Sequence, residues 1–180
     1  MQNPNVLCPE SVMRSLGVLT VEYLGFDRHI HVGQLVIAQS VMAEVDAFFR
    51  QALEERFPIA KVVPAADARY SWNDEKLMSE NISSGFNYRL IAGTNLLSSH
   101  ALGMAFDINP VQNPYIRYEK GQKTVSPHGA TWELDEPGTL HGNHPLVMLM
   151  EGFGWDWGGH WTPESGRTDY QHFQKAFTKR

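Results

Sequence analysis

Between Leu19 and Leu53 the apolar residues of this chain change from a period of two to a helical period. Apolar and polar residues alternate in LTVEYLGF (19–26) and in HIHVGQLVIA (29–38), with the turn residues Asp27 and Arg28 between them, which predicts a β-hairpin. The following residues predict an amphipathic helix that is capped by Ser40, reaches about Phe57 and is ended by Pro58. Its apolar face is predicted to lie in the core and consists of Val41, Val45, Phe48, Phe49, Ala52 and Leu53.

Later segments predict shorter elements. A strand is expected in GFNYRLI (85–91), a second one in AFDIN (105–109), a helix capped by Asn143 and ended by Gly152 and Gly154, and a last strand in DYQHFQKAF (169–177). No element is predicted for 59–84, and 110–142 is expected to be a loop punctuated by proline and glycine. Strands interleaved with few helices favour an α+β domain over a doubly wound sheet.

Length and composition bound the class of protein. A chain of 180 residues suits one domain, which we expect to span 18–180 after an irregular lead-in at 1–17. No apolar run approaches the ~18 residues of a membrane span, and a net charge of −5 disfavours nucleic-acid binding. Cys8 is the single cysteine, which excludes an internal disulfide and a zinc site built from cysteines.

Two short segments carry the residue types of a metal site. His100 stands seven residues before Asp107, and Asp169 stands three residues before His172. Together they supply two imidazoles, one carboxylate ligand and a spare carboxylate, which is the set found in catalytic zinc sites. By spacing alone, the alternative that both histidines are ordinary core or surface residues is equally favoured.

Both segments resemble motifs of one enzyme family. SSHALGMAFD is similar to the Ser-x-His-x-x-Gly-x-Ala-x-Asp motif of the zinc D-alanyl-D-alanine peptidases, which include the VanX/VanY-type carboxypeptidases and the L-alanyl-D-glutamate endopeptidases. GWDWGGHWTPESGRTDYQHFQ resembles the closing motif of the same family. The resemblance runs from about residue 18 to the C-terminus. It implies an α+β fold with a small antiparallel sheet, helices packed on one side and zinc in a surface cleft.

The resemblance also implies roles for individual residues. His100, Asp107 and His172 would be the zinc ligands and Asp169 the general base, where the VanX/VanY branch carries glutamate. Arg89 would anchor substrate and polarise the scissile carbonyl; Ser98 and Trp161 would contact substrate. Because side chains alternate along a strand, Asp169 and His172 can reach one site only if the chain bends near Asp169 and Tyr170.

The implied function is that of a zinc metallopeptidase acting on peptidoglycan stem peptides through zinc-activated water. A D-Ala-D-Ala carboxypeptidase and an L-Ala-D-Glu endopeptidase both remain open, and a zinc-binding recognition module without turnover is the alternative. The expected protein is a monomer of the cell envelope, periplasmic or secreted, or a phage endolysin, since the N-terminus lacks a leader pattern. The segment 110–142 is expected to form a wall of the cleft.

Overall fold

The computed structural model describes residues 7–91 and 94–176, which form four helices and ten strands. The helices are α1 Glu10–Ser15, α2 Met42–Glu54, α3 Asp74–Ser79 and α4 Pro145–Gly152. The strands are β1 Leu16–Leu24, β2 Ile30–Ala38, β3 Lys61–Val62, β4 Ile82–Ser83, β5 Ala105–Asp107, β6 Tyr115–Glu119, β7 Gln122–Ser126, β8 Trp155–Trp157, β9 Arg167–Asp169 and β10 His172–Lys175.

The strands form several small sheets. β1 and β2 form a hairpin, β5, β10 and β8 form one antiparallel sheet with β10 in the middle, and β7, β6 and β9 form a second with β6 in the middle. β3 and β4 make a short parallel pair. The predicted α+β class with antiparallel sheet structure is confirmed, although the sheet is divided among these separate pieces.

The predicted hairpin is confirmed and begins earlier than expected. It pairs from Leu16 with Ala38 to Leu24 with Ile30. Within the predicted lead-in, residues 1–6 lie outside the described part, and the rest is not irregular, since α1 precedes β1 directly. An ion pair between Arg14 and Glu10, four residues apart, stabilises α1, with the acidic residue in the first turn where the helix dipole favours it.

The predicted amphipathic helix is α2, and its apolar face is the centre of the core. Ser40 does not cap it, because Ser40 lies inside a 3₁₀ turn, Gln39–Val41, that leads into the helix. The helix ends at Glu54, before the predicted Phe57. The ring of Phe48 lies 5.2 Å from that of Phe106 and 5.5 Å from that of Phe173, so α2 packs on the sheet of β5, β10 and β8.

The two faces of this sheet have different environments. Phe106 pairs with Phe173, and both side chains point to the core. Asp107 pairs with His172 one position further along, so both point to the opposite face. The core packing of α2 therefore fixes the strands that carry two of the candidate ligands.

Two predictions about loops and strands are wrong. The segment 85–91 is not a regular strand, because its backbone N–H groups bond to different elements, Phe86 to Val36 and Asn87 to His100. The segment 110–142 is not a plain loop, because β6 and β7 form a hairpin in it. Their two-residue turn is Lys120-Gly121, with φ of 50° and 77°, and lysine at the first turn position hides a turn that asparagine or aspartate would signal.

The N-cap of α4 lies one residue later than predicted. His144 rather than Asn143 is its N-cap, and Nδ1 of His144 accepts a hydrogen bond from the Leu146 N–H at 3.2 Å. No helix in 7–91 or 94–176 is long and apolar enough to cross a membrane.

Candidate metal centre and its cleft

Three side chains meet on the outer face of β5 and β10. Nε2 of His100 lies 3.1 Å from Nδ1 of His172, which in turn lies 3.0 Å from Oδ1 of Asp107. The other carboxylate oxygen of Asp107 lies 3.2 Å from Nε2 of His100. The three predicted ligands are thus brought together as one potential metal-binding group.

The backbone around His100 places its ring in this group. The chain forms a 3₁₀ turn, Ser99–Leu102, and the hydroxyl of Ser98 accepts a hydrogen bond from the His100 N–H at 3.3 Å. Gly103 ends the turn with φ of 67°, a left-handed conformation that glycine adopts without strain. Gly103 therefore lets the chain turn tightly after His100.

Hydrogen bonds on the far side of each ring determine which nitrogen faces the group. Nδ1 of His100 donates to the carbonyl oxygen of Gly85 at 2.7 Å, so Nε2 is the unprotonated nitrogen and its lone pair can bind a metal. Nε2 of His172 lies 3.2 Å from Oε1 of Gln174, so its Nδ1 faces the other ligands. Such outer partners orient metal-binding histidines and fix their tautomers.

The donor set fits a single zinc ion. Two nitrogens and a carboxylate suit zinc, and bonds of ~2.0–2.1 Å in tetrahedral geometry put neighbouring donor atoms about 3.3 Å apart. The observed separations of 3.0 to 3.2 Å are close to that spacing. Both imidazoles are buried and packed in place, so the donor atoms already lie close together without a movement of exposed side chains.

One charge in the group already resembles that of a ligated site, the ionised carboxylate of Asp107. Although burial opposes its ionisation, the two imidazoles hold the pKa of Asp107 well below its usual value. Burial likewise opposes protonation of His172, but the hydrogen bond and the charge of Asp107 raise the pKa of that ring. A carboxylate therefore stays ionised here, and a cation is favoured beside it.

Asp169 reaches the same site because the chain bends. β9 ends at Asp169, Tyr170 and Gln171 form a turn, and β10 begins at His172. This is the predicted bend. Gly158 permits the close packing, because a Cβ at that position would lie 2.5 Å from the carbonyl oxygen of Asp169.

Asp169 is half-buried, and its carboxylate is incompletely satisfied. Its Oδ1 has no hydrogen-bond partner among the described residues. Burial raises the pKa of Asp169 to about 6, with the charge of Asp107 adding to the rise and His172 opposing it. A carboxyl with such a pKa can take and return a proton near neutral pH.

A pocket of about 400 Å³ opens over these residues. The three candidate ligands and Asp169 line it, together with all three of the predicted substrate residues, Arg89, Ser98 and Trp161. The structure therefore brings together the whole predicted set of site residues. Their roles stay predictions.

Arg89 is held by an acidic side chain of the same pocket. Its Nε forms an ion pair with Asp74 at the start of α3, and the other oxygen of Asp74 accepts a hydrogen bond from Asn87 at 2.7 Å. Both partners are about one third exposed. The pair thus fixes the guanidinium at the wall of the cleft, and neither member is a free surface charge.

Trp161 lies beside His172, with the ring centroids 5.4 Å apart. Its indole N–H donates to Oδ2 of Asp156 at 2.8 Å. The guanidinium of Arg167 lies over its ring at 4.6 Å. Trp161 is therefore partly exposed and anchored at one edge of the cleft.

Several residues that line the cleft were not predicted from the motifs. One face of the sheet of β7, β6 and β9 lines the pocket through alternate residues, and this sheet face consists of Ser126, Thr124, Tyr115, Arg117, Asp169 and Arg167. The available signal was the alternation of YIRYE and QKTVS around Lys120-Gly121. Part of the segment 110–142 thus does form a wall, as expected. Gln174 and Asp74 also had no motif that marked them.

The remaining histidines lie elsewhere. His29 and His31 flank the hairpin turn with Asp27, and Nε2 of His31 contacts that carboxylate at 3.0 Å. His160 pairs with Glu151 at 2.8 Å, and His128 is exposed. None of these lines the cleft as the described residues form it.

A comparison with protein families matches residues 92–175 to the model described as D-alanyl-D-alanine carboxypeptidase. No curated protein and no solved structure matches the chain. The matched segment is just under half of the chain and carries the three clustered candidate ligands and Asp169. Over residues 92–175 this chain is similar to the D-alanyl-D-alanine carboxypeptidase family, a family of peptidases, and the resemblance seen in its motifs is confirmed there.

Proposed function

We propose that this protein is a zinc metallopeptidase that hydrolyses peptidoglycan stem peptides, as a D-Ala-D-Ala carboxypeptidase or an L-Ala-D-Glu endopeptidase. The observation that carries the proposal is that the potential metal-binding group lies beside a second carboxylate whose pKa is shifted in the opposite direction. Asp107 is held ionised among the imidazoles, whereas Asp169 has a raised pKa and a free buried oxygen. Environments that separate two carboxyl groups in this way typify sites with distinct ligand and acid–base roles.

His100, Asp107 and His172 would hold the metal in this proposal. Zinc, when bound there, would supply a Lewis acid and lower the pKa of a coordinated water to near neutrality. Asp169 would accept the proton of the attacking water and return it to the leaving amine, which needs a carboxyl that changes state near neutral pH.

Arg89 would bind the carbonyl oxygen on which negative charge develops. A guanidinium stays charged and presents donors in a plane, and its ion pair with Asp74 holds it in the cleft before substrate arrives. Ser98 lies buried in the same lining, and its hydroxyl accepts from the His100 N–H, so its own proton remains to donate to a peptide carbonyl. Trp161 would contact the substrate from the edge next to His172.

We also propose that 18–180 is a single domain acting as a monomer in the cell envelope, periplasmic or secreted, or as an endolysin. One cluster of buried apolar residues runs from Val21 on β1 to Phe173 on β10, which supports one domain. The location follows from the proposed substrate, because peptidoglycan lies outside the inner membrane.

Mass spectrometry of digested peptidoglycan tests the function. The zinc-loaded protein should remove one alanine from pentapeptide stems, as a carboxypeptidase, or cut after the first L-alanine, as an endopeptidase. Chelator and Asp169→Asn should each abolish the product, and Asp46→Asn on α2 serves as the matched control. Intact stems in the presence of a protein that holds one zinc would support the recognition module instead.

A further inference from the structure

Two arginines face each other across the strands of the sheet face that lines the cleft. Arg117 on β6 and Arg167 on β9 are directly paired in the antiparallel register, and both line the pocket. Directly opposite residues have Cβ atoms ~4.5–5.5 Å apart, and like charges in such pairs are destabilising. The fold thus keeps an unfavourable pair of cations inside its main cleft.

The contacts of the two side chains leave most of their donors available. Arg117 uses Nη2 for an ion pair with Glu119 at 2.9 Å, and both groups are largely exposed, at 43% and 58%. Exposed pairs of this kind contribute little to stability. The guanidinium carbon of Arg167 lies over the ring of Trp161, 4.6 Å from its centroid, and Arg167 makes no ion pair within the described residues. Stacking leaves the edge of a guanidinium free to donate.

The position of this pair relative to Asp169 fits a peptide substrate. Tyr115 and Asp169 form the neighbouring row of the same face, two residues from the row of Arg117 and Arg167. Two strand positions correspond to about 7 Å, so an extended peptide with its scissile bond at Asp169 places the next residue within reach of both guanidinium groups.

We propose that Arg117 and Arg167 together bind a carboxylate of the substrate, on the residue that follows the scissile bond. The inference rests on the proposed peptidase function and names the charge that its substrate must carry. Both candidate stem-peptide bonds meet the requirement, because the residue after the bond is a D-alanine with a terminal carboxylate in one case and a D-glutamate with a free α-carboxylate in the other. Two planar guanidinium groups suit such a carboxylate by bidentate hydrogen bonding.

The test is a cycle of side-chain and substrate changes. The probes are the peptide L-Ala-γ-D-Glu-L-Lys-D-Ala-D-Ala, the same peptide with its C-terminus amidated, and the same peptide with the D-glutamate α-carboxyl amidated. The enzymes are the wild type, Arg117→Gln, Arg167→Gln and Lys123→Gln. Lys123 pairs with Tyr118 on the opposite face of the same sheet, so its variant removes an equal charge outside the cleft.

For the unmodified peptide, Arg167→Gln and Arg117→Gln should each lower kcat/KM about 10- to 100-fold, mainly through KM, and Lys123→Gln should leave it unchanged. With one of the two amidated peptides, the arginine variants and the wild type should have the same kcat/KM. The carboxylate that is blocked in that peptide is then the one that the two arginines bind. The ligand-free variants should melt at the same temperature as the wild type or above it, because each removes a repulsion.

The inference is overturned if the arginine effects persist with both amidated peptides or if Lys123→Gln reproduces them. If the wild type cleaves no peptide, the proposed function fails and the arginine pair is still tested by calorimetric titration of the zinc-loaded proteins with the same three peptides. Binding of the unmodified peptide that weakens in Arg167→Gln but not in Lys123→Gln supports the pair. Equal binding by all four proteins overturns it.

Discussion

His172 and Gln174 lie two residues apart on β10, and Nε2 of the imidazole is 3.2 Å from Oε1 of the amide. The same oxygen accepts a hydrogen bond from the hydroxyl of Ser99 at 2.7 Å, so it is held in place by an element outside the strand. The contact fixes the ring with Nδ1 towards Asp107. Gln174 is therefore a positioning residue for the candidate metal centre.

We expect Gln174→Leu to weaken zinc binding about 10- to 100-fold, because an unsupported imidazole loses its orientation and basicity. Gln174→Glu should retain or increase the affinity, since a carboxylate is a stronger acceptor at the same place. Competition with a chromophoric chelator measures both constants. Gln34→Leu on β2 is the control, and equal affinities for Gln174→Leu and Gln34→Leu would contradict the assigned role.

The ion pair of Arg89 with Asp74 leads to a second expectation. Asp74→Asn should reduce kcat/KM on a stem peptide by about 10-fold while zinc content stays at the wild-type level, because the guanidinium loses its fixed position. Arg89→Lys should be at least as damaging, since an ammonium lacks the planar fork. Steady-state kinetics and metal analysis of the same preparations measure this.

The matched control for that pair lies on the outer side of α2. Asp46 and Arg50 form a pair at 2.8 Å, and Asp46→Asn removes an equivalent charge far from the cleft lining. It should leave kcat/KM unchanged. If Asp46→Asn lowered kcat/KM as much as Asp74→Asn does, the net charge of the protein, and not the position of Arg89, would determine the rate.

His144 predicts how stability depends on pH. Burial, with the neighbouring His141 adding to it, lowers the pKa of His144 to about 4. Between pH 6.5 and 4 the unfolded chain takes up a proton at this residue and the folded protein does not, so stability falls as the pH is lowered through this window. Protonation would also destroy the acceptor that caps α4.

The contribution of His144 should be about 1–2 kcal/mol, after allowance for its partial exposure. Urea unfolding at pH 7 and pH 4.5 measures it by comparison with His144→Asn, which keeps a good N-cap without titrating. The variant should lose less stability than the wild type on acidification. Equal losses would mean that other groups account for the acid sensitivity.

The parts of the fold predicted from the sequence are those with a regular local pattern. The hairpin of β1 and β2 follows from apolar residues at a period of two, and the apolar face of α2 follows from a period of 3.6. The short strand that carries Asp107 is predicted because Pro110 follows it. The hairpin of β6 and β7 did not, because its turn residue Lys120 adopts a φ of 50° that the residue type does not announce. The start of α4 was also displaced, because the cap is supplied by the side chain of His144, a residue type that is not among the usual N-caps.

The three candidate ligands were predicted because their motifs are long and ordered, and the structure brings their donor atoms together. The supporting residues were not predicted, since two of them contact the site from another segment of the chain and Gln174, although only two residues from His172, matches no motif position. The carbonyl of Gly85, the amide of Gln174 and the carboxylate of Asp74 each act on a site residue through the folded chain. A single sequence carries no local pattern for such contacts.

In the proposed mechanism, Asp169 transfers the proton at a metal centre that it does not itself form. Zinc content and stem-peptide hydrolysis measured on the same preparation of Asp169→Asn test it most directly. We expect one zinc per chain, as in the wild type, with hydrolysis reduced by roughly 10²- to 10⁴-fold. Full zinc content with hydrolysis close to the wild-type rate would contradict it.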